Sequence, residues 1–116
     1  MQNRTSENGK LGALQEALRM AAAEPREQAR NLELFRRVAE QIREGDPKVK
    51  FLDQELADQG VIDEPVRALI ERVDQCFDQL VQSPDPFVWT EAALVRSPLW
   101  RKLRRLAGKA LRKIHG

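Results

Sequence analysis

Proline does more than any other residue to constrain how this chain can fold. All six prolines stand between stretches of helical periodicity or in their opening turn. A proline inside a helix removes a backbone donor and clashes with the preceding turn, at a cost of about 3 kcal/mol. In the first turn it costs nothing, because that donor has no partner there. Pro25, Asp46-Pro47, Asp63 with Pro65, and Ser97-Pro98 therefore read as helix starts. In the last three an Asp or Ser stands where a capping side chain belongs. Ser83-Pro84-Asp85-Pro86 reads as a stiff break, since each residue before proline is pushed out of helical geometry.

Between these marks the apolar residues recur at helical spacing. Leu11, Leu14, Leu18 and Ala21 predict a helix over about 10–23, behind a polar, disordered stretch at 1–9. Leu32, Leu34, Phe35, Val38, Ala39 and Ile42 predict one amphipathic helix over about 25–44, stopped by Gly45. A third helix is expected over about 47–59, with Val61 and Ile62 plugging the core after Gly60. A fourth, to Gln82, carries Val66, Leu69, Ile70, Val73, Phe77, Leu80 and Val81, apolar enough to be the central helix. A short helix over 86–95 and a last one over 98–114 follow. There is no Tyr and aromatics are only 5%, which argues against a sheet. The expected fold is all-α, a small bundle of five or six helices. Residues 10–82 would form its body and 83–116 a proline-punctuated basic C-terminal segment.

The formal net charge of +2 conceals a division along the chain. Residues 92–116 hold eight of the twenty basic residues and none of the eighteen acidic ones. Such a tail either folds onto its own acidic body or meets an acidic partner. No apolar run approaches the roughly 20 residues that span a bilayer. The first residues contain no apolar signal core, and a single cysteine suits a reducing compartment, so a cytoplasmic location is expected.

Groups that carry chemistry are scarce. His115, the only histidine, lies at the end of the last helix, and Cys76 lies at the margin of an apolar stripe, where a small buried hydrophobe is the simpler role. Glu71, Asp74 and Asp78 occupy the polar face of the fourth helix, where a solvated face is the simpler role. No glycine-rich loop could hold a phosphate. The expectation is no enzyme, no metal and no cofactor. The third and fourth helices loosely imitate a helix-turn-helix, but Asp63, Glu64, Glu71 and Asp74 would press negative charge against DNA.

Two surfaces remain. Trp89 and Trp100 stand at proline joints, and the stripe of Leu32, Leu34, Phe35 and Val38 is wide. More large apolar residues than one core needs would make these six a partner-binding surface and the protein a homodimer. The last helix is basic and amphipathic, with Arg101, Arg105, Lys109 and Arg112 opposite Leu99, Leu103, Leu106 and Ala110. These four basic residues are the candidates for contact with nucleic acid, although no Asn or Gln accompanies them to read adenine. Nothing supplies a second membrane anchor, so no membrane association is expected.

The stretches NLELFRRVAEQIREGD at 31–46 and SPLWRKLRRLAGKALRKI at 97–114 resemble the small antiactivators of LasR-type quorum-sensing regulators. That resemblance implies a small helical dimer that binds the ligand-binding domain of a LuxR-type transcription factor. The bound factor could not dimerise and would lose its second DNA half-site. No interface residue is carried over by the resemblance. The expected function is therefore a regulatory protein-binding module whose partner is such a transcription regulator, with nucleic-acid binding through the last helix as the alternative.

Overall fold

The computed structural model describes residues 2–46 and 62–115, with side chains from Leu11 to Asp46 and from Ile62 to Ile114. The architecture is all-α, and the described residues contain no strand. Its helices are α1 (Gln2–Ala22), α2 (Pro25–Arg30), α3 (Leu32–Arg43), α4 (Glu64–Gln82), α5 (Glu91–Arg96) and α6 (Pro98–His115). A 3-10 turn over Pro86–Trp89 precedes α5. The helix expected over 47–59 lies outside the described residues.

The molecule is organised around α6, which packs along both α4 and α1. Its inward positions recur at intervals of three and four: Trp100, Leu103, Leu106, Ala107 and Ala110 are all buried. From α4 come Val66, Ile70, Val73, Cys76, Phe77, Leu80 and Val81, and from α1 Leu14, Leu18 and Ala21. The basic C-terminal segment thus shares one core with α1, α3 and α4. This follows from α6 having an apolar stripe that must be covered, and α1 and α4 being the stripes that cover it.

Three local boundaries differ from the sequence reading. The helix expected over 25–44 is broken at Asn31, whose backbone (φ −105°, ψ 8°) ends α2 and opens α3. The Asn31 side-chain amide donates to the Glu27 carbonyl at 3.5 Å, a local bond that competes with the helix ladder. The helix expected over 86–95 is split at Thr90. Its hydroxyl accepts the Ala93 N–H at 3.2 Å and so caps α5. Asp85 makes the same kind of bond to the Phe87 N–H at 3.0 Å, starting the 3-10 turn. The helical backbone of α1 also runs back to Gln2, through residues read as disordered. No proline precedes Pro25, so a helix anchored at Leu14 and Leu18 can propagate toward the N-terminus.

The stop at Gly45 appears as expected. Its φ of 81° is the left-handed conformation that glycine adopts without strain. The Gly45 N–H donates to the Ile42 carbonyl and the Asp46 N–H to that of Gln41, the paired bonds of a Schellman motif. At the far end of α4, the Arg43 guanidinium donates to the Val81 carbonyl and ties α3 to it.

Candidate functional site

The six residues expected to form an apolar partner surface separate into three groups. Phe35 and Trp100 are buried in the monomer and offer nothing to a partner. They belong to an aromatic cluster: the Phe35 and Trp100 ring centroids are 5.4 Å apart and edge-on. Trp89 meets Trp100 at 6.0 Å and Phe77 at 6.4 Å in the same manner. The Trp100 indole N–H donates to the Val88 carbonyl at 2.7 Å, so the proline-flanked 3-10 turn covers the ring that the sequence left exposed. Leu32, Val38 and Trp89 are half-buried against the core. Only Leu34, at 48% exposure, stands out from the protein. Phe87 and Val95 are the other exposed large apolar residues among those described. Among the described residues, the surplus of apolar surface expected from the sequence thus shrinks to three side chains on three different elements. Val95 borders a cleft of about 480 Å³ between α2 and α5, together with Pro25, Ala29, Arg26, Arg30 and Glu91.

The charged face of α6 remains entire. Arg101, Lys102, Arg105, Lys109, Arg112 and Lys113 are all exposed. At 3.6 residues per turn they fall within a sector of about 120° and extend along roughly 18 Å of the helix axis. None of the six makes an ion pair with a carboxylate among the described residues. Arg101 instead donates through Nε to the Val95 carbonyl at 3.2 Å. Six acids of the body are engaged locally, on their own helices: Glu16 with Arg19, Glu27 with Arg30, Glu33 with Arg37, Glu40 with Arg36, and Glu64 and Glu71 with Arg67. The tail therefore does not neutralise itself on those acids.

This face works against the stability of its own helix. Arg101–Arg105, Arg105–Lys109 and Lys109–Lys113 are like-charge pairs at i,i+4, each unfavourable by a few tenths of a kcal/mol. There is no acid in the first turn of α6, and Arg101 sits there instead, where the helix dipole disfavours a cation. Arg112 and Lys113, in the last turn, are favourably placed.

Arg104, the remaining basic residue of α6 proper, points inward and has a different role. Its Nη1 donates to the Gln28 side-chain oxygen at 2.8 Å and to the Leu94 carbonyl at 2.6 Å. Gln28, fully buried, donates in turn to the Ala21 carbonyl at 2.9 Å. Burial, and secondarily the charge of Arg101, pulls the Arg104 guanidinium below its ordinary pKa. The relay joins α6 to the ends of α1, α2 and α5 and fixes the rotation of α6 about its axis. Neither Gln28 nor Arg104 was singled out by sequence. Their one visible signal is that Gln28 lies in a short polar helix and Arg104 at the edge of an apolar stripe.

Cys76 is buried, and its thiol donates to the Leu99 carbonyl at 3.3 Å. Burial pushes its pKa up, and Lys102 opposes this only in part. A thiol held protonated is a poor nucleophile. Alkylation of native protein at pH 8 is expected to be at least tenfold slower than alkylation of protein unfolded in guanidinium, as followed by mass spectrometry. Equal rates would place Cys76 at the surface. No cluster of His, Cys, Asp or Glu able to hold a metal occurs among the described residues. Compared with protein-family models, curated proteins and solved structures, the chain matches none of them.

Proposed function

We propose that this protein binds nucleic acid through the phosphate backbone, with the outer face of α6 as its contact surface. One observation carries the reading: six exposed cations share one sector of a helix, unpaired with any described carboxylate, while the inner face of that helix is anchored in the core. Cations that lower helix stability in the free protein gain when phosphates neutralise them and counterions are released. A membrane surface fits less well, because an interfacial helix must offer its apolar face to lipid. Here Leu103, Leu106 and Ala110 are used in the core.

The test is a salt titration of binding to a labelled oligonucleotide. The logarithm of the affinity should fall linearly with the logarithm of salt, by about 0.9 per phosphate contact on duplex DNA. Replacing Arg101, Arg105 and Arg112 with Ala should lower that slope by about 3 and the affinity at about 0.1 M salt by more than 100-fold. All three are exposed, so the melting temperature should hold or rise slightly. Unchanged affinity in this variant, or no binding at low salt, would refute the reading.

A second reading is favoured by the exposed Leu34 and by the resemblance of residues 31–46 and 97–114. In it the protein is an antiactivator that binds a transcription factor of LasR type, blocks its dimerisation and keeps it from DNA. Leu34, with half-buried Leu32 and Val38 beside it, would be the anchor toward that partner or toward a second copy of the chain. Leu34→Asp should then abolish capture of a LuxR-type ligand-binding domain and leave oligonucleotide binding intact. Loss of neither would exclude α3 as an interface.

A further inference from the structure

We infer that the nucleic acid fitted by α6 is duplex DNA of B form, gripped across its major groove by two rows of cations. This rests on the phosphate-binding reading above and specifies its ligand. Around the helix, Arg101, Arg105 and Arg112 lie within about 40° of one another and form one row; Lys102, Lys109 and Lys113 lie within about 40° and form the other. The rows run parallel along the axis, centred about 80° apart. With side chains extended, their charges stand on the order of 10 Å apart, close to the roughly 12 Å width of the B-DNA major groove. Each row can therefore reach the phosphates of a different strand, with the helix axis running along the groove outside them.

The alternatives fit less well. Single strands are held by bases stacked on aromatic rings, together with a basic groove. The outer face of α6 has no aromatic residue. Its one aromatic, Trp100, is turned inward and fully buried, with its indole bonded to Val88. Phe87, though exposed, belongs to the turn that covers Trp100 on the side of α6 opposite the cations. In A-form RNA the major groove is deep and narrow, so phosphates across it do not match the spacing of the two rows. Arginine and lysine also divide between the rows without mixing, so the two rows can be removed separately.

Fluorescence anisotropy with the full chain at about 50 mM salt tests this, using a 20-base-pair DNA duplex, one of its strands alone, and an RNA duplex of the same length. The DNA duplex should bind at least tenfold more tightly than either of the others. The variants Arg101→Ala/Arg105→Ala/Arg112→Ala and Lys102→Ala/Lys109→Ala/Lys113→Ala should each lose more than 100-fold on the DNA duplex, and circular dichroism should show both folded. Single-stranded DNA or duplex RNA binding as tightly as duplex DNA would overturn the groove assignment while leaving phosphate binding intact. One row carrying all the affinity would also overturn it. Failure of all three nucleic acids to bind would sink the phosphate-binding reading itself.

Discussion

Trp100→Ala is expected to lower the stability of this protein by about 3–5 kcal/mol, the range for emptying a buried aromatic site. That is a large part of the 5–15 kcal/mol that holds a typical domain folded. The side chain is fully buried, stacks edge-on against Phe35 and Trp89, and bonds the Val88 carbonyl. Its loss would remove packing from α3, α6 and the 3-10 turn together. Trp100→Phe separates the two contributions: most of the apolar area is retained, and the orphaned Val88 carbonyl should cost about 1–3 kcal/mol. Urea unfolding followed by circular dichroism measures both. A Trp100→Ala midpoint close to that of the parent would mean that Trp100 lies at an interface and not in the core.

Gln28→Leu is expected to be nearly as severe, about 2–4 kcal/mol, although it replaces a polar residue with an apolar one of similar size. The buried amide satisfies the Ala21 carbonyl on one side and the Arg104 guanidinium on the other. Leucine would leave Arg104 with Leu94 as its remaining carbonyl partner and the last turn of α1 with an unmet acceptor. Arg104→Met should cost a similar amount. The double variant should cost less than the sum, because the buried charge and its missing partner disappear together. The coupling expected for residues in one hydrogen-bond network is about 0.5–3 kcal/mol. Additive effects in a double-mutant cycle would show that the two side chains act independently. If the relay sets the rotation of α6, either single variant should also weaken oligonucleotide binding, although neither residue belongs to the exposed basic face.

The division between stabilising and functional residues on α6 follows from these expectations. One face supplies Trp100, Leu103, Arg104 and Leu106 to the fold. The opposite face supplies six exposed cations, none of them paired with a described carboxylate. Removing the first group should unfold the protein, whereas removing the second should leave it folded and change only what it binds.

Much of the architecture was legible in the residues themselves. Proline in a first turn and glycine at a left-handed stop act locally, so the starts of α4 and α6 and the end of α3 follow from chain chemistry alone. The stripes of α4 and α6 were equally plain, because a period of 3.6 residues places them without knowledge of their neighbours. Arg101, Arg105, Lys109 and Arg112, the candidates named from the sequence, are all exposed, and Lys102 and Lys113 lie on the same face. What no periodicity could reveal is which apolar residues one core can cover. Phe35 and Trp100 look the same in sequence as Leu34, yet two are sealed and one is not, because their burial depends on a 3-10 turn and on helices distant along the chain. The Gln28–Arg104 relay was likewise decided in three dimensions. Helical form here is a property of short stretches of chain; the choice of which faces meet, and so which cations are left to act outward, depends on side chains as many as 76 residues apart.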